Sequence, residues 1–200
     1  MTFTQETPFL SGEHRTALIA LGANLPWNDA PPEATLAEAL VVIAQGPLGL
    51  RAASRFYRTP CFPAGAGPDY VNAAILCDVP DGLEARDVLA ELHRIETHFG
   101  RARAQRWGMR TLDLDLVAMD GAVAPDEHTW RQWHDLPAAE QRRVAPDELI
   151  LPHPRLQDRG FVLVPLADIA PAWRHPILGR TIFEMRAALP REACDEIAPM

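Results

Sequence analysis

Residues 101–115 read Arg-Ala-Arg-Ala-Gln-Arg-Trp-Gly-Met-Arg-Thr-Leu-Asp-Leu-Asp. Side chains of an extended chain alternate between faces, so Leu112, Leu114 and Leu116 point one way and Asp113 and Asp115 the other. The two carboxylates then sit ~7 Å apart along one face, twice the rise per residue. They repel, and each raises the other's pKa. A divalent cation between them removes the repulsion. Carboxylate oxygens are hard ligands suited to Mg²⁺, which keeps waters and takes further positions from phosphates. Arg101, Arg103, Arg106 and Arg110 lie directly upstream. Guanidinium groups clamp phosphate oxygens through paired hydrogen bonds. Taken alone, the aspartates fit equally an exposed strand face with Arg–Asp pairs worth ~0–1 kcal/mol each. Taken alone, the arginines fit a solvated loop. Both features in fifteen residues, joined by Trp107-Gly108, point to phosphate chemistry.

Two further groups of residues bear chemistry. Leu151-Pro152-His153-Pro154-Arg155 is followed by Arg159-Gly160-Phe161. Prolines on both sides restrict the backbone around His153. A histidine held this way can donate to a phosphate or orient a base; a rigid loop with no partner chemistry is the plainer account. The second group is Phe56-Tyr57-Arg58-Thr59-Pro60, then Pro68-Asp69-Tyr70-Val71-Asn72. Tyr70 and Asn72 share a face of one strand. A ring supplies a stacking surface for a flat heterocycle and an amide reads its donor–acceptor edge. Cross-strand packing with a backbone-satisfying amide explains an isolated Tyr and Asn as well.

These residues need a frame. The apolar run 16–21 ends at Gly22 and predicts a buried strand. Pro31 and Pro32 open a helix with Leu36, Ala39, Leu40 and Ile43 at helical spacing, and Gly46 closes it. Residues 50–58 and 69–79 read as strands around a stiff loop, 59–68, with three prolines and two glycines. Asp81 and Glu84 are spaced as a capping box for a helix with Val88, Leu89, Leu92, Ile95 and Phe99 on one face, ending at Gly100. Residues 111–119 alternate as a half-buried strand. Residues 120–148 are polar, with a helical fragment and with Trp130 and Trp133 covering an exposed flank. Residues 161–169 are apolar, and Thr181 with Glu184 forms a second capping box for a helix with Ile182, Met185 and Leu189 inward. The order strand, helix, strand, strand, helix, strand predicts an α+β sandwich, a mostly antiparallel sheet flanked by helices. Residues 1–14 read as a flexible leader and 15–200 as one domain with an insert at about 120–148.

Composition narrows the function. The 200 residues carry a net charge of -8, which repels nucleic-acid backbones and anionic membranes. All 19 basic residues are Arg, which excludes a Walker-type phosphate loop and any lysine nucleophile. Cys61, Cys77 and Cys194 form no CxxC pair, so reduced thiols in a cytoplasm are expected. No signal peptide or membrane span is expected.

The chain resembles the 6-hydroxymethyl-7,8-dihydropterin pyrophosphokinase family of folate biosynthesis, over about residues 17–182. The resemblance rests on Ala-Leu-Gly-Ala-Asn-Leu (20–25), Phe-Tyr-Arg-Thr-Pro (56–60), Pro-Asp-Tyr-Val-Asn-Ala-Ala (68–74), Gly-Arg-Ala-Arg (100–103), Arg-Trp-Gly-Met-Arg-Thr-Leu-Asp-Leu-Asp (106–115) and Pro-His-Pro-Arg-Leu with Arg-Gly-Phe (152–161). It implies a ferredoxin-like core and a diphosphotransferase that moves the β,γ-pyrophosphoryl group of ATP to the pterin hydroxymethyl oxygen, releasing AMP. It implies two Mg²⁺ ions on Asp113 and Asp115, with Arg101 and Arg110 clamping the phosphates in transfer. Tyr70 and Phe161 match rings that sandwich the pterin, Asn72 the amide that reads its edge, and Thr59, Pro60 and Phe62 the loop lining that pocket. Arg103, His153 and Arg159 match nucleotide contacts, and Glu96 an acidic residue at the nucleotide end of its helix. Trp107 matches a tryptophan on a loop, within 100–108, that closes over the site. Ala23, Gly67 and Met109 depart from the family's common Ser, Gln and Pro. A cytoplasmic monomer is expected, with ATP and the pterin as its partners and neither nucleic acid nor membrane. Two other readings stay open: a phosphohydrolase keeping the metal and arginines, and a non-catalytic nucleotide- or pterin-binding module.

Overall fold

The computed structural model describes residues 15–61, 65, 67–100, 110–137, 140 and 143–200. The expected leader, 1–14, lies outside them. Strand β1 (Arg15–Ala23) takes the apolar run to the centre of the sheet, between β4 (Tyr70–Val79) and β5 (Asp113–Met119). β2 (Gly49–Ala53) and the short β3 (Tyr57–Thr59) both pair with β4, and β6 (Ala198–Pro199) adds to the far side of β3. Every pairing is antiparallel. The sheet has a helical layer on each face, the α+β sandwich expected from the order of elements and the ferredoxin-like core that the resemblance implies.

Alternation decides which residues meet which layer. Ala17, Ile19, Leu21, Val71, Ala73, Ile75, Leu114 and Leu116 face α1 (Pro32–Gln45) and α2 (Ala85–His98) through Leu36, Ala39, Ile43, Val88, Leu92 and Ile95. Leu18, Ala20, Ala74 and Val117 face the opposite way. They pack under α4 (Gly160–Ile169) and α5 (Ile182–Ala187) through Val162, Leu163, Leu166, Ile182 and Met185. Both faces of β1 are therefore apolar, and a strand buried on both sides reads as a continuous hydrophobic run. No helix among the described residues is long and apolar enough to cross a membrane.

The structure shifts several expected boundaries. The capping box of α2 is Glu84 with Asp87, whose carboxylate accepts the Glu84 amide at 2.8 Å, rather than Asp81 with Glu84. Gly82, at φ +89°, turns the chain at 80–83, so the helix begins three residues later. The Thr181–Glu184 box forms as expected, with reciprocal bonds of 3.1 and 2.7 Å. The expected strand 50–58 is broken at 54–56, where the Ser54 hydroxyl accepts from the Ala74 amide. Residues 111–112 precede β5 rather than belonging to it.

The largest difference is Trp130. It does not cover an exposed flank; it is fully buried on α3 (Glu127–His134). Its indole N–H donates to the Pro152 carbonyl at 2.7 Å, so α3 props the His153 loop from behind. Trp130 also stacks on His134 and meets His175 edge-on.

His175 is itself fully buried, and its Nδ1 accepts from the Ile177 and Leu178 amides at 3.2 Å each. Burial, with nearby His134 adding to it, pushes His175 down to about 4 from 6.5. The unfolded chain therefore binds a proton here that the folded chain refuses. The stabilisation from the neutral ring is complete above about pH 6.5 and is lost as pH falls through about 4, up to about 3 kcal/mol. We predict that His175→Asn, whose Oδ1 can reach the same amides, loses less stability than the parent between pH 6.5 and 4. Urea denaturation across that range measures the difference; parallel pH profiles for the two proteins would contradict it.

Candidate active site

The site forms where β1, β4 and β5 run out from under α4. Asp113 stands opposite Gly22 of β1, and Gly22 stands opposite Asn72 of β4, which in turn stands opposite Tyr57 of β3. Directly opposed residues of antiparallel strands share a face. A Cβ on Gly22 would come to 3.1 Å from Asn72 Oδ1, so the missing side chain keeps open the space between carboxylate and amide. Asp115 follows on the same face, opposite Ala20. Leu114 and Leu116, on the other face, are buried in the core and hold the strand.

Both carboxylates already face guanidinium groups. Arg110 pairs with Asp113, and Arg159 lies 3.9 Å from Asp115. Asp113 and Arg110 are largely enclosed, whereas the Asp115 side chain is 44% exposed and so open to an incoming ligand. Burial draws the Arg159 guanidinium below its ordinary pKa, against the opposing pull of Asp115. Among the described residues no cluster of three or more His, Cys, Asp or Glu forms a ready metal cage. The donor set still fits Mg²⁺. Two hard carboxylates on one face are what this ion takes from a protein when water and phosphate oxygens supply the rest.

His153 is set by two hydrogen bonds. Its amide donates to the Val117 carbonyl at 2.7 Å, and its Nδ1 accepts from the Arg155 amide at 3.0 Å. Val117 is the extra residue where the pairing of β1 and β5 shifts register, so a bulge anchors the loop. Burial first, then the Arg159 charge, holds His153 well below its usual pKa. The neutral ring with Nδ1 accepting carries its proton on Nε2. That nitrogen lies 3.4 Å from an Arg159 N–H, so two donors face each other. An acceptor oxygen beside them would satisfy both. They line a cleft with Asp115, Val117, Leu156 and Val162.

On the other flank, the Asn72 amide nitrogen donates to the Thr59 hydroxyl at 2.7 Å, and both residues are buried. Thr59 pairs with Tyr70 across the strands. Burial raises the Tyr70 phenol, which also feels Cys61, Arg110 and Asp113. Pro60 is exposed just beyond Thr59. Phe161 is 41% exposed at the start of α4, with the Arg159 guanidinium 5.8 Å from its ring centre. Arg159 thus connects Phe161 to Asp115. Glu96, expected as a nucleotide contact, is buried at 1% exposure and accepts the Leu114 amide at 2.8 Å, which braces β5 from the side. Arg101, Arg103, Trp107 and Phe62, and the expected lid 100–108 beyond Gly100, lie outside the described residues.

Asn24 is the residue that the sequence reading left without a role. It is buried, its Oδ1 accepts the Arg110 amide at 2.8 Å, and its Nδ2 donates to the Pro68 carbonyl at 3.3 Å. The Asn24 and Leu25 amides also donate to the Arg110 carbonyl at 3.0 and 3.1 Å. One side chain therefore ties the segment carrying Arg110 to the segment leading into Tyr70.

A pair of carboxylates edged by guanidiniums, on an antiparallel sheet with an amide and an aromatic ring along the same face, suits an enzyme of phosphoryl-group transfer. Residues 18–171 match the family of 7,8-dihydro-6-hydroxymethylpterin-pyrophosphokinase (HPPK). Relatives named 2-amino-4-hydroxy-6-hydroxymethyldihydropteridine pyrophosphokinase include one from Synechocystis sp., 32% identical over 92% of this chain and 80% of its own. Another, from Pseudomonas aeruginosa, is 35% identical over 90% of this chain and 94% of its own. The wild-type HPPK-DHPS of Plasmodium falciparum superposes with a TM-score of 0.59 at 13% identity, over 88% of this chain and 44% of that one. That likeness shows the fold alone, and the present chain spans less than half of the longer protein. The chain belongs to the HPPK family and is a pyrophosphokinase of folate biosynthesis.

We predict that Asn24→Ala costs about 2 kcal/mol, because the Arg110 amide and Pro68 carbonyl lose buried partners. Urea unfolding measures this; a loss under about 0.5 kcal/mol would contradict the bracing role.

Proposed function

We propose that the chain transfers the β,γ-pyrophosphoryl group of ATP to 6-hydroxymethyl-7,8-dihydropterin. The hydroxymethyl oxygen attacks the β-phosphorus and gives up its proton to solvent. The bond from that phosphorus to the oxygen bridging it to the α-phosphate breaks, and AMP leaves. The observation that carries this reading is the shared face of Asp113, Asp115 and Asn72, with Arg110 and Arg159 against the carboxylates.

Asp113 and Asp115 would hold two Mg²⁺ ions, which when bound neutralise phosphate charge and lower the pKa of the acceptor hydroxyl. The protein does little covalent work in such a transfer; positioning and charge stabilisation dominate. Arg110, fixed by Asn24 on its backbone and Asp113 on its side chain, stabilises charge growing on the transferred group. Arg101 takes the same role from the adjoining segment. His153 Nε2–H and Arg159 donate to nucleotide oxygens from the cleft beside Asp115, joined by Arg103, while Glu96 keeps β5 in place behind them. Asn72, oriented by Thr59, reads the edge of the pterin, with Tyr70 and Phe161 as stacking rings beside Pro60; Phe62 and Trp107 are assigned to the pterin on the family resemblance alone.

We predict that AMP and pyrophosphorylated pterin appear one for one when the protein is given ATP, Mg²⁺ and the reduced hydroxymethylpterin. Free pyrophosphate without a pterin product would overturn transfer in favour of hydrolysis. Asp113→Ala should abolish turnover while pterin still binds by fluorescence titration. Arg110→Ala should lower kcat by ~10²–10³, the range for loss of a group aimed at developing charge. Full activity in Asp113→Ala would refute the metal assignment.

A further inference from the structure

The family match ends at residue 171, yet residues 190–200 close on the site from outside. Helix α6 (Arg191–Asp195) lies against α4. At Gly160, an added Cβ would come to 2.7 Å from the Ala193 carbonyl oxygen and 2.9 Å from Ile197 Cδ1. Real Cβ atoms do not approach backbone that closely, so the segment seats on the bare α-carbon of the residue between Arg159 and Phe161. Ile197 also packs with Tyr57 and Val164, one from β3 and one from α4. Beyond it, Ala198 pairs with Arg58 and Pro199 with Tyr57, and the Met200 amide donates to the Phe56 carbonyl at 2.9 Å.

One short segment thus grips two parts that the site needs in register. The first turn of α4 presents Arg159 and Phe161, and β3 presents Thr59, which orients Asn72. The two parts have another link in Asp168 near the far end of α4. Its carboxylate accepts from Tyr57 at 2.7 Å and from the Arg55 guanidinium at 3.1 and 3.0 Å. That clamp holds the back of the helix. The first turn, with Phe161 turned outward, is held by the strap.

We propose that residues 190–200 are a positioning strap for pterin binding: through Ala193 and Ile197 on Gly160, and β6 on β3, they set the spacing between Phe161 and the Thr59–Asn72 pair. This rests on the pterin-side reading of Phe161, Thr59 and Asn72. It assigns a role in substrate binding to residues that follow the 18–171 stretch.

A four-way comparison tests it: the full chain, a chain ending at Pro190, Gly160→Ala in the full chain, and Gly160→Ala in the shortened chain. Pterin affinity by fluorescence titration, kcat, and the urea midpoint are measured for each. In the full chain Gly160→Ala should weaken pterin binding about tenfold with kcat changed far less, the pattern of a binding defect. Shortening should cost a similar factor. In the shortened chain Gly160→Ala should add under about twofold, because the atoms it strikes are gone. If the shortened chain does not fold, Ile197→Ala replaces it; it removes the 2.9 Å contact and leaves the Ala193 carbonyl, so Gly160→Ala should then weaken pterin binding less than in the full chain but still measurably. Coupling in the urea midpoint without coupling in pterin affinity would reduce the strap to a stabilising contact and overturn the inference. Equal effects of Gly160→Ala in both chains would overturn it too. Failure of the parent chain to bind the pterin at all would instead bring down the reading of the site, a result distinct from lost coupling.

Discussion

Antiparallel register across β5, β1 and β4 is the constraint on which the rest of the molecule depends. It sets Asp113, Gly22 and Asn72 abreast on one face, with nothing but an α-hydrogen in the middle. Two strand spacings, about 10 Å, separate the carboxylate end from the amide end. A slip of one residue in either pairing would turn one end of that row into the core. The slip is blocked because the alternate positions, Leu21, Ala73 and Leu114, are embedded between α1 and α2. Core packing and site geometry are therefore one choice of register seen from two faces.

Electrostatics follow from that placement. Two aspartates on one strand face would raise each other's pKa, and the chain answers with a guanidinium for each, Arg110 and Arg159. Both arginines are held by backbone contacts at some remove. Asn24 fixes Arg110, and the Leu156 carbonyl with the Val162 and Leu163 amides of α4 fixes Arg159. The His153 loop is braced in turn by the bulge at Val117 and by buried Trp130. Long flexible side chains become directional donors because their α-carbons are placed by hydrogen bonds in the interior.

Much of this was legible in the residues, for physical reasons. A period of two separates Asp113 and Asp115 from their leucines, and that alternation is what a half-buried strand must show. The Thr181–Glu184 box was legible because both partners lie within one turn. The box of α2 was misplaced because Asp81, Glu84 and Asp87 offer two acidic pairs at the same spacing, and the turn at Gly82 decides between them. Asn24 has no periodicity to mark it; its partners lie 44 and 86 residues away. Trp130 in a polar insert reads as a surface ring until the Pro152 carbonyl is found beside its N–H. Gly160 stands in the Arg-Gly-Phe motif with no structural mark of its own, and the atoms that forbid a side chain come from residues 193 and 197. Local pattern is visible in a chain; contacts made at long range are visible only in the fold.

The central claim is that divalent cation and pterin share one sheet face at a spacing set by register. Paramagnetic relaxation of the pterin protons measures it, with Mn²⁺ in place of Mg²⁺ and a non-transferring ATP analogue bound. The account predicts a metal-to-pterin distance of about 10 Å or less, matching two strand spacings. A distance beyond about 20 Å, or no relaxation effect with both ligands bound, would contradict it.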